Sequence, residues 1–190
     1  MPPLMSTDTI EREIKLPFAN PDEARAAILA TGATPLHGRR LQEDCLLDDA
    51  AGSLRRRRCA LRVRMEGGKS RITFKGPVQP SIMKVREEFE TVVGDGELLV
   101  RILGELGYAV WFRYQKYREE FSREDVIVAV DETPLGTFVE IEGSEQGITS
   151  MAEALGRTAA EYVIDSYRTL FIRHRQEHGL AVADMLFDEA

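Results

Sequence analysis

The chain has 190 residues, of which 43% are hydrophobic and 30% charged, a composition that suits one soluble globular domain with a sizeable core. Its 25 Lys and Arg against 32 Asp and Glu give a formal net charge of −7, which argues against a general binder of nucleic acid or of anionic membranes. The two cysteines, Cys45 and Cys59, match neither a disulfide framework nor a metal motif.

The first eight residues show neither the basic region nor the apolar run of a secretory signal. We therefore expect a cytoplasmic protein without a membrane partner. The organisation that we expect is a flexible N-terminus over 1–8, one domain over 9–175 and a loosely held C-terminal tail over 176–190.

The first predicted element is a strand over residues 10–16. Side chains alternate between the two faces of a strand, so Glu11, Glu13 and Lys15 share one face and apolar residues take the other. Six later segments alternate in the same way, at 61–65, 72–75, 86–90, 116–118, 126–131 and 139–142. A solvated face explains one such strand. Seven strands carry acids and bases together at alternate positions, on one face of each strand. This pattern predicts a shared charged interior.

Helices are predicted between these strands. Asn20 can cap a helix over 21–30, and Asp95 can cap a second helix whose apolar residues form one stripe. Two patterns of the capping-box type begin at Ser150 and Thr158, and the second predicts a helix through 163–171.

The parity of the charged residues predicts a closed barrel with a charged lumen and an apolar outer wall. Helices or lipid must cover that wall, and the predicted helices together with the few aromatic residues favour helices over an outer-membrane barrel. The acidic lumen positions are Glu11, Glu13, Glu88, Glu90, Asp131, Glu140 and Glu142, with Asp44 as a further candidate. The basic lumen positions are Lys15, Arg62, Arg64, Lys75, Arg86, Lys116 and Arg118.

Two interpretations of such a lumen compete. A structural lattice of ion pairs would satisfy the charges, but buried ion pairs stabilise a core no better than apolar residues do. Clustered carboxylates suit Mg²⁺, and arginine and lysine suit phosphate oxygens. The presence of both sets therefore favours a metal-bound polyphosphate.

The ordered series of motifs resembles the CYTH superfamily, the triphosphate tunnel metalloenzymes. The resemblance covers roughly residues 9 to 172, and the stretch 135–142 with Ser166 and Tyr167 is most similar to the branch named for class IV adenylate cyclases. The matching segments are 11–15, 61–64, 73–77, 86–90, 116–118, Asp131 and 135–143.

This resemblance implies an α+β fold, an eight-stranded antiparallel barrel flanked by amphipathic helices, and a requirement for Mg²⁺ or Mn²⁺. Carried over by position, the metal ligands are Glu11 and Glu13 with Glu140 and Glu142, and Glu88, Glu90 and Asp131 complete one site or the other. The residues expected to grip the triphosphate are Lys15, Arg62, Arg64, Lys75, Arg86, Lys116 and Arg118. Lys15 is also expected to be catalytic, and either Glu13 or Glu88 to accept the proton of the attacking water.

Members of this superfamily hydrolyse inorganic, thiamine or nucleoside triphosphates, and some cyclise ATP. We expect hydrolysis of a small-molecule triphosphate, because the sequence shows no legible adenine pocket. Cyclisation of ATP to cyclic AMP is the alternative, and a non-catalytic polyphosphate or nucleotide sensor is a third hypothesis. No nucleic-acid partner is expected, and both a monomer and a homodimer are compatible with the sequence.

Overall fold

A computed structural model describes residues 9–188, in which eight antiparallel strands close into one barrel in the order β1-β5-β4-β3-β2-β6-β7-β8. The strands are β1 (Ile10–Phe18), β2 (Thr34–Asp49), β3 (Ala60–Glu66), β4 (Lys69–Lys75), β5 (Lys84–Val93), β6 (Tyr108–Arg123), β7 (Val126–Thr133) and β8 (Gly136–Gly143). The helices are α1 (Pro21–Ala30), α2 (Ser53–Arg56), α3 (Gly96–Glu105), α4 (Glu145–Ala154) and α5 (Tyr167–His178). The predicted α+β fold with an eight-stranded barrel is confirmed.

Contacts between strands that are not neighbours show which face is the lumen. Lys75 on β4 reaches Glu11 on β1 past the intervening β5, with 2.7 Å between Nζ and Oε1. Arg118 on β6 reaches Glu140 on β8 past β7 at 2.5 Å. Because only the concave face of a closed sheet allows such contacts, the charged parity lies inside the barrel, as predicted.

The apolar side chains that alternate with the charged ones face outward, and helices cover much of this outer surface. Helices α1 and α4 pack on β1, β7 and β8, where Ile14 and Leu16 of the wall meet Ile28 and Ile148 of the helices, all with 0% exposure. Helix α3 packs on β3, β4 and β6 around the buried Val63. Burial of this outer layer supplies the hydrophobic stabilisation that a charged lumen does not.

Two predicted caps are present in the structure. The side chain of Asn20 accepts a hydrogen bond from the backbone N–H of Glu23 at 2.9 Å, and the side chain of Asp95 accepts one from Leu98 at 2.9 Å. Each bond satisfies one of the free N–H groups at the start of a helix, so α1 and α3 begin where the sequence predicts.

The predicted helix starts at Ser150 and Thr158 are wrong. Ser150 lies inside α4, because Ser144 caps that helix by accepting a hydrogen bond from the N–H of Gly147 at 3.0 Å. The capping box at Thr158 is formed, but it opens only the 3₁₀ turn Ala159–Glu161.

The chain leaves the 3₁₀ turn in an extended conformation. The N–H of Val163 donates to the carbonyl of Lys15 at 2.9 Å, and the N–H of Lys15 donates to the carbonyl of Val163 at 3.0 Å. This pairing holds Val163 out of a helix. Helix α5 therefore begins later, at Tyr167, after the cap residue Ser166.

The segment that follows α5 is docked, contrary to the prediction of a loose tail beyond residue 176. Helix α5 itself continues to His178. Met185 has 0% exposure, and its backbone exchanges hydrogen bonds with Arg113 and Gln115 of β6 at 3.0 and 2.9 Å. Strand β7 pairs with β6 only from Tyr117 onward, so this part of β6 has a free edge that the segment fills.

The predicted N-terminal segment 1–8 lies outside the described residues. Within residues 9–188, no helix has the length and apolarity needed to cross a membrane.

Docking of the C-terminal segment predicts unequal effects of two adjacent substitutions. Met185→Ala should lower the free energy of unfolding by about 2–4 kcal/mol, because it empties a buried site. Leu186 is 42% exposed, so Leu186→Ala should cost less than about 0.5 kcal/mol. Urea denaturation of both variants measures the difference. Equal small effects would mean that the segment is not held against β6.

Candidate active site in the barrel lumen

The central part of the lumen contains eight acidic and eight basic side chains, whose formal charges balance, and Arg40, Arg71, Glu66 and Glu120 share the same face towards one end. The acidic side chains are Glu11, Glu13, Asp44, Glu88, Glu90, Asp131, Glu140 and Glu142. The basic side chains are Lys15, Arg62, Arg64, Lys75, Lys84, Arg86, Lys116 and Arg118. All fourteen of the site residues proposed from the sequence lie in this lumen, together with Asp44 and with Lys84, which the sequence analysis missed.

Four glutamates form one side of the lumen, which we call the acidic wall: Glu11, Glu13, Glu140 and Glu142 on the neighbouring strands β1 and β8. The cation on the lumen face of these two strands is Lys15, whose Nζ lies 2.8 Å from Glu13 Oε1 and 3.3 Å from Glu140 Oε2. Burial by itself lowers the pKa of Lys15, but the two glutamates outweigh it and raise that pKa.

Glu142 makes no hydrogen bond or ion pair to any residue in the range 9–188. Its side chain is exposed to water inside the lumen, although protein surrounds it on most sides. This enclosure, and then the nearby Glu11, Glu13 and Glu140, raise the pKa of Glu142 to about 8. The acidic wall therefore disfavours the charged form of Glu142.

Four cations form the opposite side of the lumen, which we call the basic wall: Arg62, Arg64, Lys116 and Arg118 on β3 and β6. Strand β2 lies between β3 and β6 and contributes Asp44, which is 1% exposed. Arg64 donates to both oxygens of Asp44 at 2.9 and 3.1 Å, and Arg62 Nε lies 3.5 Å from it. Burial raises the pKa of Asp44, but Arg64 and Arg62 outweigh burial and hold that pKa below its usual value.

Asp131 holds the second pair of cations in the basic wall. It is 0% exposed and accepts hydrogen bonds from Lys116 at 2.8 Å and from Arg118 at 2.6 Å to each oxygen. A fourth bond comes from the hydroxyl of Tyr167 at 2.6 Å. The role of Asp131 as a metal ligand stays a prediction, since the structure shows a carboxylate that organises cations.

Strands β4 and β5 connect the two walls. Lys75 lies 2.7 Å from both Glu11 and Glu88, and Lys84 lies 2.5 Å from Glu13. Arg86 donates to Glu11 at 3.0 Å. The lumen is thus a continuous network in which most charges touch a partner on another strand.

Glu90 completes the network near one end of the barrel. It accepts a hydrogen bond from the hydroxyl of Thr73 at 2.8 Å, and Arg62 and Arg71 contact it at 3.3 and 3.1 Å. Thr73 is 0% exposed and was not proposed from the sequence, because a neutral residue carries no signal in a pattern of charges.

Four lumen groups have pKa shifts of the kind that disfavours their charged forms. Burial raises the pKa of Glu88 to about 7, although Lys75 opposes the shift. Burial lowers the pKa of Lys84 to about 8 against Glu13, and burial with Arg118 lowers the pKa of Lys116 to about 8. Together with Glu142, these groups are buried charges that their partners do not fully compensate.

One mouth of the barrel, the plugged mouth, is filled by α5. Side chains on the lumen face at this end, among them Leu46, Phe112 and Phe138, pack against Tyr167 and Phe171 of the helix. Ring centroids of Phe112 and Phe171 lie 5.8 Å apart, and those of Phe138 and Tyr167 lie 5.6 Å apart. Exposure of the ion pairs rises towards the other end, the open mouth, where Arg71 is 49% exposed beside Glu90.

The structure does not present a ready-made metal cluster. Among residues 9–188, no three carboxylate, histidine or cysteine side chains are arranged so that they could hold a metal ion together. The glutamates of the acidic wall are instead held by Lys15, Lys75 and Lys84.

Comparison with known proteins identifies the family. The model of the CYTH domain matches residues 9–165, and the chain therefore belongs to the CYTH domain family. A protein of Methanocaldococcus jannaschii with the name "Putative adenylate cyclase" is 33% identical over 118 residues, which cover 62% of this chain and 67% of that protein.

Solved structures share the fold. A protein from Pyrococcus horikoshii is 26% identical with a TM-score of 0.72, over 87% of this chain and 99% of that one. A "putative adenylyl cyclase" from Hippeastrum, described as having a dominant triphosphatase activity, has a TM-score of 0.66 at 20% identity, over 87% and 95% of the two chains. A "putative adenylate cyclase" from Vibrio parahaemolyticus has a TM-score of 0.72 at 17% identity, over 86% and 98%.

The ion pairs of Asp44 predict that substituting this residue lowers the free energy of unfolding by an amount that depends on pH. Asp44→Asn should lower the free energy of unfolding at pH 7 by about 3 kcal/mol, because two buried arginines lose their carboxylate. A carboxyl group with a lowered pKa in the folded state contributes stability above its unfolded value of 3.8, and this contribution is lost as pH falls through the folded value. The difference between wild type and Asp44→Asn should therefore shrink below pH 4.

Urea denaturation from pH 7 down to the lowest pH at which the wild type folds measures this difference. Asp22→Asn is the control, since the Asp22 side chain is 94% exposed, and it should change stability little at any pH. A cost of Asp44→Asn that stays constant with pH would reject the assigned ion pair.

Proposed function

We propose that this member of the CYTH domain family is a divalent-metal-dependent enzyme that hydrolyses a phosphoanhydride bond of a triphosphate. The observation that carries the proposal is the separation of charge in the lumen, with the acidic wall on β1 and β8 and the basic wall on β3 and β6. Ion pairs between neighbouring strands, such as Arg64–Asp44 and Arg86–Glu11, are present, but a buried lattice of ion pairs stabilises a core no better than apolar residues do. A polyphosphate with bound cations instead complements both walls at once.

The acidic wall fits Mg²⁺ or Mn²⁺ in the chemistry of its donors. Four glutamates supply the oxygen ligands that these ions prefer, and Glu142 has no partner within residues 9–188 to displace. Glu11, Glu13, Glu140 and Glu142 would hold the metal, and Glu88, Glu90 and Asp131 are the further candidates. When bound, such an ion neutralises phosphate charge and lowers the pKa of a water molecule.

The basic wall would bind the phosphate oxygens. Asp44 fixes Arg64 by two hydrogen bonds, and Asp131 fixes Lys116 and Arg118 by short hydrogen bonds, so these groups need little reorganisation when an anion arrives. Lys15 lies on β1 within the acidic wall and would reach the same phosphate chain as Lys75 and Arg86. These cations would stabilise the charge that develops on the equatorial and leaving oxygens during in-line attack.

Contacts in the lumen also distinguish the two candidates for the general base. Glu13 Oε1 is held by two lysines, Lys15 at 2.8 Å and Lys84 at 2.5 Å. Glu88 meets one lysine, Lys75. Glu88 also shares a side-chain hydrogen bond with Glu11, but with one lysine instead of two and a pKa raised to about 7 it is the better acceptor of a proton from water, and we assign it that role.

Hydrolysis is favoured over cyclisation of ATP by the state of the plugged mouth. Aromatic side chains there would suit an adenine ring, but Phe112 packs on Phe171 and Phe138 packs on Tyr167. Names of relatives support each activity, since the three reported from Methanocaldococcus jannaschii, Vibrio parahaemolyticus and Hippeastrum are called putative adenylate or adenylyl cyclases, and the Hippeastrum protein is also described with a dominant triphosphatase activity. Cyclisation remains the second candidate. The proposed substrate is a small molecule of the cytoplasm.

A substrate panel tests the proposal. Inorganic triphosphate, thiamine triphosphate, ATP and GTP are incubated with Mg²⁺ or Mn²⁺, and with EDTA, and the products are resolved by chromatography. We expect metal-dependent release of phosphate, which Lys15→Ala should lower by at least about 100-fold while circular dichroism shows a folded protein. Cyclic AMP as the main product would favour the cyclase. Binding without turnover in any metal would favour a sensor.

The acidic wall predicts a change in metal dependence. Replacing Glu140 and Glu142 with Gln should raise the Mg²⁺ concentration for half-maximal activity by at least about tenfold, because two of the proposed ligands can no longer bind the ion as carboxylates. The matched control replaces Glu145 and Glu153 with Gln, since both are exposed on α4 and the net charge changes equally. An unchanged Mg²⁺ dependence of the first variant would remove these residues from the metal site.

A further inference from the structure

We propose that Tyr167 is a positioning residue for the triphosphate site, and that α5 thereby belongs to the phosphate-binding apparatus instead of merely covering the barrel. This inference rests on the proposed function. It concerns the first residue of the terminal helix, which packs into the lumen from the plugged mouth.

The contacts of Tyr167 join three charged groups of the lumen. Its hydroxyl donates to Oδ2 of Asp131 at 2.6 Å, next to the bond from Lys116 to the same oxygen at 2.8 Å. The Nζ atoms of Lys15 and Lys116 each lie 5.1 Å from the centroid of its ring. One neutral side chain therefore touches the carboxylate that holds the basic wall and two of the lysines proposed to bind phosphate.

The ring of Tyr167 bridges strands that do not pair with each other. Lys15 is on β1 and Lys116 is on β6, and β7 and β8 separate these strands in the barrel. Two ammonium groups at such a site repel one another, and the negative face of an aromatic ring attracts both. The ring thus fixes the spacing between two cations that the strands alone leave adjustable through flexible four-carbon side chains.

The hydroxyl of Tyr167 adds a second constraint. It gives Asp131 a neutral donor besides Lys116 and Arg118, so that all four bonds of this fully buried carboxylate have defined directions. Burial, and then Asp131, raise the pKa of the phenol well above its usual value, and the group stays a neutral donor.

Helix α5 is anchored strongly enough to hold this position. Ser166 accepts a hydrogen bond from the N–H of Thr169 at 3.1 Å and so caps the helix. The guanidinium of Arg168 lies 4.4 Å from the ring centroid of Trp111, and Arg55 lies at the same distance from that ring. Because the residue after Tyr167 is clamped on the wall of the barrel, the phenol is placed by the fold and not by the substrate.

The simpler interpretation is that Tyr167 only packs the plugged mouth, as Phe171 does. Phe171 is 4% exposed and contacts Phe112, and the charged side chain near its ring, Arg175, belongs to its own helix and not to the lumen. Phe171 is therefore a matched control, an aromatic residue of the same helix and the same apolar cluster that lies outside the proposed machinery.

Three variants separate the two interpretations: Tyr167→Phe, Tyr167→Leu and Phe171→Leu. Tyr167→Phe keeps the ring and loses the hydroxyl, so kcat should fall about tenfold with KM nearly unchanged. Tyr167→Leu also loses the ring, so KM should rise and kcat/KM should fall by about 100-fold. Phe171→Leu should lower Tm and leave both constants near wild type at temperatures where it is folded. Equal kinetic effects of Tyr167→Leu and Phe171→Leu would mean that Tyr167 has only a packing role.

Two readouts without turnover make the test independent of the proposed reaction. In NMR spectra, ring-current shifts of the lysine side-chain protons of Lys15 and Lys116 should persist in Tyr167→Phe and disappear in Tyr167→Leu. Calorimetric titration with inorganic triphosphate in EDTA should show binding weakened about tenfold in Tyr167→Leu and not in Phe171→Leu. Unchanged binding and unchanged shifts would overturn the positioning role even in an active enzyme. Weakened binding without turnover of any triphosphate would keep it and refute hydrolysis.

Discussion

The structure depends on one constraint, which is that the ionisable side chains packed inside a closed sheet must largely neutralise one another. Moving an isolated charge out of water costs several kcal/mol, so each acid in the lumen needs a base within reach. The barrel meets this requirement with ion pairs such as Lys15–Glu13 and Arg64–Asp44. These pairs offset their own desolvation and contribute little beyond that. Net stability must therefore come from the apolar outer wall, where Ile14, Leu16 and Ile141 are 0% exposed under α1 and α4.

The same constraint explains how side chains of the lumen can exchange their ion-pair partners for a ligand. The two aspartates, Asp44 and Asp131, have short side chains, are almost fully buried and each hold a pair of cations. The longer glutamates of the acidic wall reach lysines that a phosphate could also engage, and Glu142 reaches none within residues 9–188. A metal-bound triphosphate would thus replace the lysine–glutamate pairs and leave the aspartate–cation pairs intact. Neutrality is preserved because the ligand brings charges of both signs.

The sequence predicted what depends on local alternation and missed what depends on distant parts of the chain. A period of two in charge places Glu11, Arg62 and Glu140 in one lumen without any knowledge of pairing. Lys84 shares the parity of Arg86 but lies at the start of its strand, next to an irregular loop, where the pattern is too short to recognise. The docked segment around Met185 depends on a free edge of β6 that exists only because β7 diverges from it. No local pattern in the sequence indicates such a free edge.

The capping signals failed for a related reason. Thr158 forms its capping box, yet the following residues are drawn into a bridge with β1 through Val163, so tertiary pairing overrides the local preference for a helix. The consequence is that α5 starts at Tyr167 and not earlier, which is what brings the phenol to the lumen. The helix start that the sequence predicts wrongly is therefore the place where Tyr167 joins the helix to the charged network.

A gradient in burial along the lumen follows from the plugged mouth. Near α5, the side chains of Lys116 and Asp131 are 3% and 0% exposed, whereas Arg71 and Glu90 near the open mouth are 49% and 30% exposed. Solvated ion pairs are worth about 0–1 kcal/mol, and removing one partner from a buried pair costs about 3–5 kcal/mol. A ligand that enters from the open mouth therefore meets pairs that separate at little cost and stops where the pairs are held by Asp131 and Tyr167. Because α5 fills the far end, a ligand of this lumen would enter and leave by the same mouth.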